Sequence, residues 1–297
     1  MSEYSSNSIP MKNKELKSKM IKVAFQGMYG SHAEEAIKNY YGSDSAIEIT
    51  AYSSIKKTTQ SLKDGSSDFV MLPIENSIAG FVESVYRTLV ENNLNVHGEI
   101  IQNIEHCLLA LHGVKVSNLK YVGSHPQALR QCKKNIDNMH LKERIFNNTA
   151  SSALYIAENK TKNQSAVANK ITAKIYNLNI LHRHFEDFPS KNFTRFFLLS
   201  SKLNSNTMLR NVDYKNSIIC RGNNKDYSIN KLFRTLYSKN LRILQIQSQK
   251  SLNESWTYDF FIDFCIKSVK DLDNFFLCLE ELKKNNIKIK NLGLYPV

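Results

Sequence analysis

Phe69-Val70-Met71-Leu72-Pro73-Ile74-Glu75-Asn76-Ser77 opens as an apolar strand over 69–72 and breaks at once into the polar stretch 73–77. Open α/β sheets bind ligands beyond the carboxyl ends of their strands, so this break is where a site is expected. Upstream, 22–26 and 47–51 read as strands and 54–63 as a helix. The tight turn Gly27-Met28-Tyr29-Gly30 leads into a helix that begins near Ser31 and runs past Ala36. Short β-branched or aromatic runs alternating with amphipathic helical stretches predict an α/β fold with mostly parallel strands.

The chain then repeats this logic. Extended segments occupy 95–111, and 121–124 is a strand. His125-Pro126-Gln127-Ala128 opens a helix that Ser124 is placed to cap, with proline in the first turn where its missing N–H does no harm. A helix starting at Thr149, a strand over 165–168 and a helix over 170–176 follow. Beyond the polar stretch 201–215, strands over 216–221, 243–249, 258–266 and 288–295 and helices over 229–239 and 271–285 fall in the order βαββαβ. That order is ferredoxin-like.

Composition narrows the class. With 297 residues and 42% hydrophobic content, the chain exceeds one typical domain and has ample material for a core. No apolar run approaches the roughly 18–20 residues that span a bilayer, and residues 1–19 read as a polar, disordered tail without a secretory block, so a cytoplasmic location is expected. The formal net charge of +13 is spread through asparagine-rich surroundings and not gathered into a stripe, and no zinc-finger spacing or Walker lysine loop appears. Nucleic acid and membrane are therefore not expected partners; the charge suits attraction of a dianionic small molecule.

The five cysteines are scattered and read as reduced thiols; with His182 and His184 they complete no ligand set, so no metal is expected. Glu186-Asp187 reads as a solvated pair whose side chains point apart.

Lys191-Asn192-Phe193-Thr194-Arg195-Phe196 sets a hydroxyl and a fixed cation side by side in a strand that continues through Leu199. Neighbours on a strand point to opposite faces, so Thr194 and Arg195 cannot both enter one ordinary core. One of them should face a polar site, unless the segment is an edge strand with a solvated arginine.

Five motifs in order, Gly27-x-x-Gly30, Pro73 through Gly80, Ser124-His125-Pro126-Gln127-Ala128-Leu129-x-Gln131-Cys132, Asn148-Thr149-Ala150 and Asn192 through Phe196, resemble the prephenate dehydratase family over 22–201. The resemblance implies two α/β lobes like a periplasmic binding protein, with the active site in the cleft between them, and a C-terminal ACT domain, in agreement with the βαββαβ order. The expected division is a catalytic region over 20–202 and a regulatory and oligomerisation domain over 213–297, assembling as a homodimer or homotetramer. The implied reaction is decarboxylation of prephenate with loss of its ring hydroxyl, giving phenylpyruvate, water and carbon dioxide on the route to phenylalanine. It needs no cofactor, because aromatisation drives the step.

Prephenate carries two carboxylates and expels hydroxide, so its site needs cations or oriented donors and a group that bonds the leaving oxygen. The resemblance makes Thr194 the catalytic candidate, orienting the leaving oxygen. It assigns substrate contacts to Arg195, Glu75, Asn76, Ser77, Ser124, His125, Gln127, Thr149, Ser31 and Phe196, with helix starts after Ser77 and Ser124 offering amides. Structural roles compete: Glu75 and Asn76 as turn residues, His125 as the shaper of its turn, Gln127 and Thr149 as ties between lobes. Arg195 contacts substrate only if the strand twists or bulges, and otherwise braces the site from behind.

Two departures matter. After the glycine turn this chain has Ser31-His32-Ala33, where the family has threonine, an aromatic residue and serine. In the ACT region, Ile229 and Asn230 stand near the family's glycine-opened turn, and Gln247 and Ser248 near its charged segment. Bulkier side chains and lost charges predict weak or absent L-phenylalanine binding. The competing functions are arogenate dehydratase and a non-catalytic small-molecule sensor on the same fold.

Overall fold

The structure, a computed structural model, describes residues 20–42, 45–203, 208, 212–223, 228–251 and 257–297. The tail read over 1–19, and Tyr227 beside the expected regulatory turn, lie outside those residues.

In chain order the elements are β1 (Ile21–Gln26), α1 (His32–Tyr41), β2 (Ile47–Tyr52), α2 (Ile55–Lys63), β3 (Phe69–Asn76), β4 (Gly80–Phe81), α3 (Glu83–Glu91), β5 (Asn95–Asn103), β6 (Cys107–Ala110), β7 (Tyr121–Ser124), α4 (Pro126–Gln131), α5 (Lys133–Asn138), β8 (Lys142–Ile145), α6 (Thr149–Asn159), β9 (Gln164–Ala168), α7 (Lys170–Ile175), β10 (Asn179–His182), β11 (Phe193–Ser200), β12 (Tyr214–Asn223), α8 (Ser228–Ser238), β13 (Arg242–Lys250), β14 (Thr257–Ile266), α9 (Val269–Lys284) and β15 (Lys288–Pro296).

The first sheet runs β2-β1-β3-β11-β5, with β4 paired on β3. Val23, Ala24 and Phe25 of β1 are all buried, as in a parallel strand covered on both faces, and β1 pairs in parallel with β2 and β3. The second sheet runs β10-β6-β9-β7-β8, with β7 parallel to both β8 and β9. In each lobe the polar breaks flagged in the sequence sit at the carboxyl ends of the parallel strands.

Three local readings change. The strand after Phe69 continues through Pro73 to Asn76. Pairing with β1 covers only Phe69 to Met71, so the missing donor of Pro73 breaks no bond of that ladder. No helix starts after Ser77: the Asn76 side chain accepts from the amides of Ile78 and Ala79, Gly80 takes φ +81°, and the chain hairpins into β4, leaving α3 to start at Glu83. Those two amides are satisfied internally and not offered to a ligand. Finally, β7 keeps its pairing through Ser124, so His125 and not Ser124 caps α4; the Ser124 hydroxyl donates to Val167 O (2.6 Å).

The chain divides into two compact units, Met1–Val82 with Ile100–Phe196, and Glu83–Glu99 with Phe197–Val297. In the second unit β13-β14-β12-β15 form an antiparallel sheet whose core is shared with α8 and α9 through Leu232, Leu236, Phe264 and Phe275. The strand order and the βαββαβ sequence make it ferredoxin-like.

Within this unit Lys290 on β15 donates to the carbonyls of Leu89 (2.7 Å), Val90 (3.4 Å) and Asn92 at the carboxyl end of α3. An ammonium there satisfies otherwise orphaned helix carbonyls and faces the negative end of the helix dipole; burial holds its pKa below the ordinary lysine value. Lys290→Met should lower stability by about 2 kcal/mol through the acceptors it strands, read as a drop in thermal midpoint. An unchanged midpoint would show that the clamp contributes nothing. No described helix is long and apolar enough to cross a membrane.

Candidate active site

β3 and β11 bring Asn76 and Thr194, 118 positions apart, into contact. The Asn76 amide nitrogen donates toward Thr194 Oγ1 (3.0 Å), Phe193 O (3.0 Å) and Asn192 Oδ1 (2.9 Å). The two turn amides on Asn76 Oδ1 fix which way this carboxamide points. Thr194, 9% exposed, therefore accepts from Asn76, and no described acceptor takes its own hydrogen. Ser77 locks the same corner: its hydroxyl donates to Lys191 O (2.7 Å) and accepts from Phe193 N (2.8 Å), while its amide donates to Phe193 O (2.8 Å).

Strand alternation holds on both elements. Asn76 and Thr194 meet on one face, while their neighbours Glu75 and Arg195 approach each other (Oε2 to Nη1, 4.0 Å) on the other, with the Arg195 side chain only 10% exposed. β11 runs on from Phe193 to Ser200, and Arg195 lies by Glu75 and not by Thr194. Phe196 is a core residue, 3% exposed.

Two further side chains complete the network. Gln131, on α4 of the second lobe, donates to Asn76 Oδ1 (3.4 Å) and accepts from Asn192 Nδ2 (3.0 Å). It also accepts from His106 Nε2 (2.8 Å), which leaves His106 Nδ1 as a bare, buried lone pair without a hydrogen-bond partner. Burial, and the nearby His32, push the His106 imidazole down to about 4, so it is neutral near pH 7. Both chain crossings between the lobes converge here: Ile104 N donates to Asn192 O, Phe185 N to His106 O, and His106 N to Glu186 Oε2. Glu186, read from the sequence as solvated, is 2% exposed because it closes this crossover; Asp187 points away and caps α5 through Lys134 N and Asn135 N.

Of the remaining candidates, His125, Gln127 and Thr149 stand at the second lobe's strand ends, and no described bond ties them to Thr194. His125 Nδ1 accepts from Gln127 N (3.3 Å), so the neutral ring keeps an Nε2–H to donate; burial, then Arg130, hold its pKa below the ordinary histidine value. Thr149 begins α6 behind the capping box of Asn148 and Ser151. In the first lobe Ser31 precedes α1 but makes no side-chain capping bond, and its hydroxyl is buried without a hydrogen-bond partner. Gly30 has φ +88°, and a Cβ there would come within 3.1 Å of Thr172 Oγ1, which donates to Gly30 O (2.7 Å) and pins the glycine turn to the second lobe. His184 lies 3.7 Å from both Glu105 and Glu186, yet no group of three or more His, Cys, Asp or Glu among the described residues could hold a metal ion.

Gln131 lies within one of the five motifs and His106 in none. Their role depends on partners 25 to 61 residues away, a separation that local patterning does not encode. The arrangement presents a neutral hydroxyl donor held by carboxamides in a water-poor corner, suited to bonding an oxygen that gains charge.

Known proteins share this framework. A family model described as prephenate dehydratase matches residues 23–204. The chain is 37% identical over 180 residues to arogenate dehydratase 2 of Petunia hybrida, across 61% of this chain and 45% of that protein. It is 30% identical over 276 residues to the bifunctional chorismate mutase/prephenate dehydratase of Buchnera aphidicola subsp. Schizaphis graminum, across 92% of this chain and 70% of that protein. The crystal structure of prephenate dehydratase from Arthrobacter aurescens in complex with L-Phe matches with a TM-score of 0.79 over 93% of this chain and 89% of that one, at 22% identity, and shares its fold. The chain thus spans under half the length of the Petunia relative.

Proposed function

The chain belongs to the prephenate dehydratase family, and on that premise we propose that it is a lyase converting prephenate to phenylpyruvate, carbon dioxide and water. The observation that carries this reading is the Thr194 hydroxyl held as an acceptor by Asn76 with its hydrogen free. As the ring carboxylate leaves as carbon dioxide, its bonding electron pair moves through the ring and expels the hydroxide, which takes one proton from solvent to become the product water. Thr194 O–H bonds that oxygen as charge builds on it; an alcohol of ordinary acidity positions and stabilises more than it donates a proton outright.

On this reading His125 Nε2–H, Gln127, Ser31 and the free amides at the start of α6 around Thr149 are the donors for the substrate carboxylates, with Ser77 and Ser124 framing the site. Arg195 acts from behind, holding Glu75 and hence the strand ends that carry Asn76 and Thr194.

The test is to incubate the purified chain with prephenate and follow phenylpyruvate, with arogenate run in parallel. A folded protein that turns over neither substrate defeats the reading, and ligand binding without turnover supports a sensor instead. Faster turnover of arogenate than of prephenate would move the substrate assignment to the alternative.

We further propose a catalytic region over 20–202 and an ACT domain over 213–297 that pairs subunits into a homodimer or homotetramer, working in the cytoplasm. L-phenylalanine binding at the ACT domain is expected to be weak or absent. The Gln247 amide on β13 is already engaged with Ser248 O (3.1 Å), and Ile229 and Asn230 stand at the start of α8 without a glycine opening. Titrating the full chain with L-phenylalanine should give no saturable heat and no loss of turnover. Tight binding that lowers turnover would overturn this.

A further inference from the structure

Three carboxamides of the candidate site close into a cycle in which every bond runs the same way. Asn76 Nδ2 donates to Asn192 Oδ1 (2.9 Å), Asn192 Nδ2 to Gln131 Oε1 (3.0 Å), and Gln131 Nε2 back to Asn76 Oδ1 (3.4 Å). The sense of the cycle is imposed. The turn amides of Ile78 and Ala79 need an acceptor, which makes the other end of Asn76 the donor, and each further carboxamide follows from the one before. Gln131 Oε1 is thereby an acceptor, so His106 Nε2, 2.8 Å from it, carries the imidazole hydrogen.

His106 is fixed on every side. The residue is buried, its amide donates to Glu186 Oε2 (2.9 Å), and its carbonyl accepts from Phe185 N (2.8 Å). The His32 ring stands edge-on to the imidazole, with centroids 5.7 Å apart. Its Nδ1 is buried with no hydrogen-bond partner, so the one side-chain bond that His106 makes goes to Gln131. At 2.8 Å that bond is far better placed than the donation of Gln131 to Asn76 at 3.4 Å, so Gln131 is held from the His106 side.

We propose that His106 is a positioning residue: its Nε2–H fixes the Gln131 carboxamide and, around the cycle, the hydrogen that Asn76 presents to Thr194. No described bond joins His106 to Thr194, so it acts through Gln131 and Asn76. Without that hydrogen, the Gln131 oxygen keeps only the Asn192 donor and the carboxamide is free to turn over. Turned over, it sets its oxygen against Asn76 Oδ1; two acceptors then face each other and the cycle opens. Asn76 holds Thr194 less firmly as a result. The bearing of His106 on catalysis rests on the role proposed above for the Thr194 hydroxyl, that of bonding the leaving oxygen.

The test compares His106→Gln, whose amide reaches as far as the imidazole Nε2, with His106→Asn, whose amide reaches only as far as Nδ1. His106→Phe keeps a ring and removes the hydrogen; circular dichroism confirms folding, and the first pair decides if the phenylalanine variant does not fold. Heteronuclear NMR of the full chain follows the Asn76 side-chain amide, a readout that needs no turnover. Its resonances should shift and its hydrogens exchange faster in the asparagine and phenylalanine variants, and return toward wild type in the glutamine variant. With prephenate, kcat should fall about tenfold in the first two with KM little changed, and most of it should return with glutamine. An Asn76 amide unmoved in folded His106→Asn, equal displacement in the glutamine and asparagine variants, or wild-type kcat in both would overturn the positioning role. If the wild-type chain turns over neither substrate while the amide moves as expected, the positioning stands and the role of Thr194 falls.

Discussion

Thr194→Ala should lower kcat on prephenate by about a hundred- to a thousandfold, the usual cost of losing one oriented donor at a developing oxyanion. The fold should survive. The Thr194 hydroxyl receives one of three contacts from the Asn76 amide, and the other two, to Phe193 O and Asn192 Oδ1, remain in the variant. Because the bond strengthens only as the oxygen departs, kcat and kcat/KM should fall together. Thr194→Ser should recover most of the loss, falling short by the rotamer freedom that the β-methyl removes. Near-wild-type kcat in the alanine variant would remove Thr194 from the mechanism.

Asn76→Ala should cost nearly as much activity and, unlike the threonine change, stability too. It strands the amides of Ile78 and Ala79, leaves Gln131 Nε2 and Asn192 Oδ1 without this partner, and frees Thr194 to rotate. Stability should drop by about 2–4 kcal/mol, given roughly 1–3 kcal/mol for each buried polar group left unpaired, some of which relax. Turnover should fall by about a hundredfold. Asn76→Asp is a second check on orientation. It keeps an acceptor for the turn amides, but sets a buried carboxylate oxygen toward Thr194, Phe193 O and Asn192 Oδ1; the Thr194 hydroxyl then turns its hydrogen inward. Melting curves should show a loss in both variants, and single-turnover rates should stay low in both. Wild-type rates in Asn76→Asp would disprove the orienting role.

Much of this was legible from residue order because strand alternation is a local rule. Alternation alone separates Thr194 from Arg195, and the folded chain places Glu75 and Asn76 on the matching faces. The βαββαβ order of the second unit was likewise readable from hydrophobic periods. Capping was misread by one residue at Ser124, because propensity cannot tell whether a serine ends a ladder or starts a helix when the next two residues are His125 and Pro126. Glu186 was misread as solvated because its partner is a backbone amide 80 residues away, and Gln131 gains meaning only when α4 reaches Asn76. Local chemistry placed the hydroxyl; long-range closure decided what holds it.

The topology of the first sheet also constrains how the chain is made. The second sheet draws on 107–182, an uninterrupted stretch, whereas the first needs β11 to separate β3 from β5. During synthesis the lobe encoded second can therefore complete its sheet while the lobe encoded first still lacks a central strand. Residues 21–103 must wait, with the edges of β3 and β5 unpaired, until 193–200 emerge; such open edges are prone to wrong pairing. The contact of Asn76 with Thr194 forms only once residue 194 has emerged, so a chain stalled before residue 193 would lack the corner proposed for catalysis.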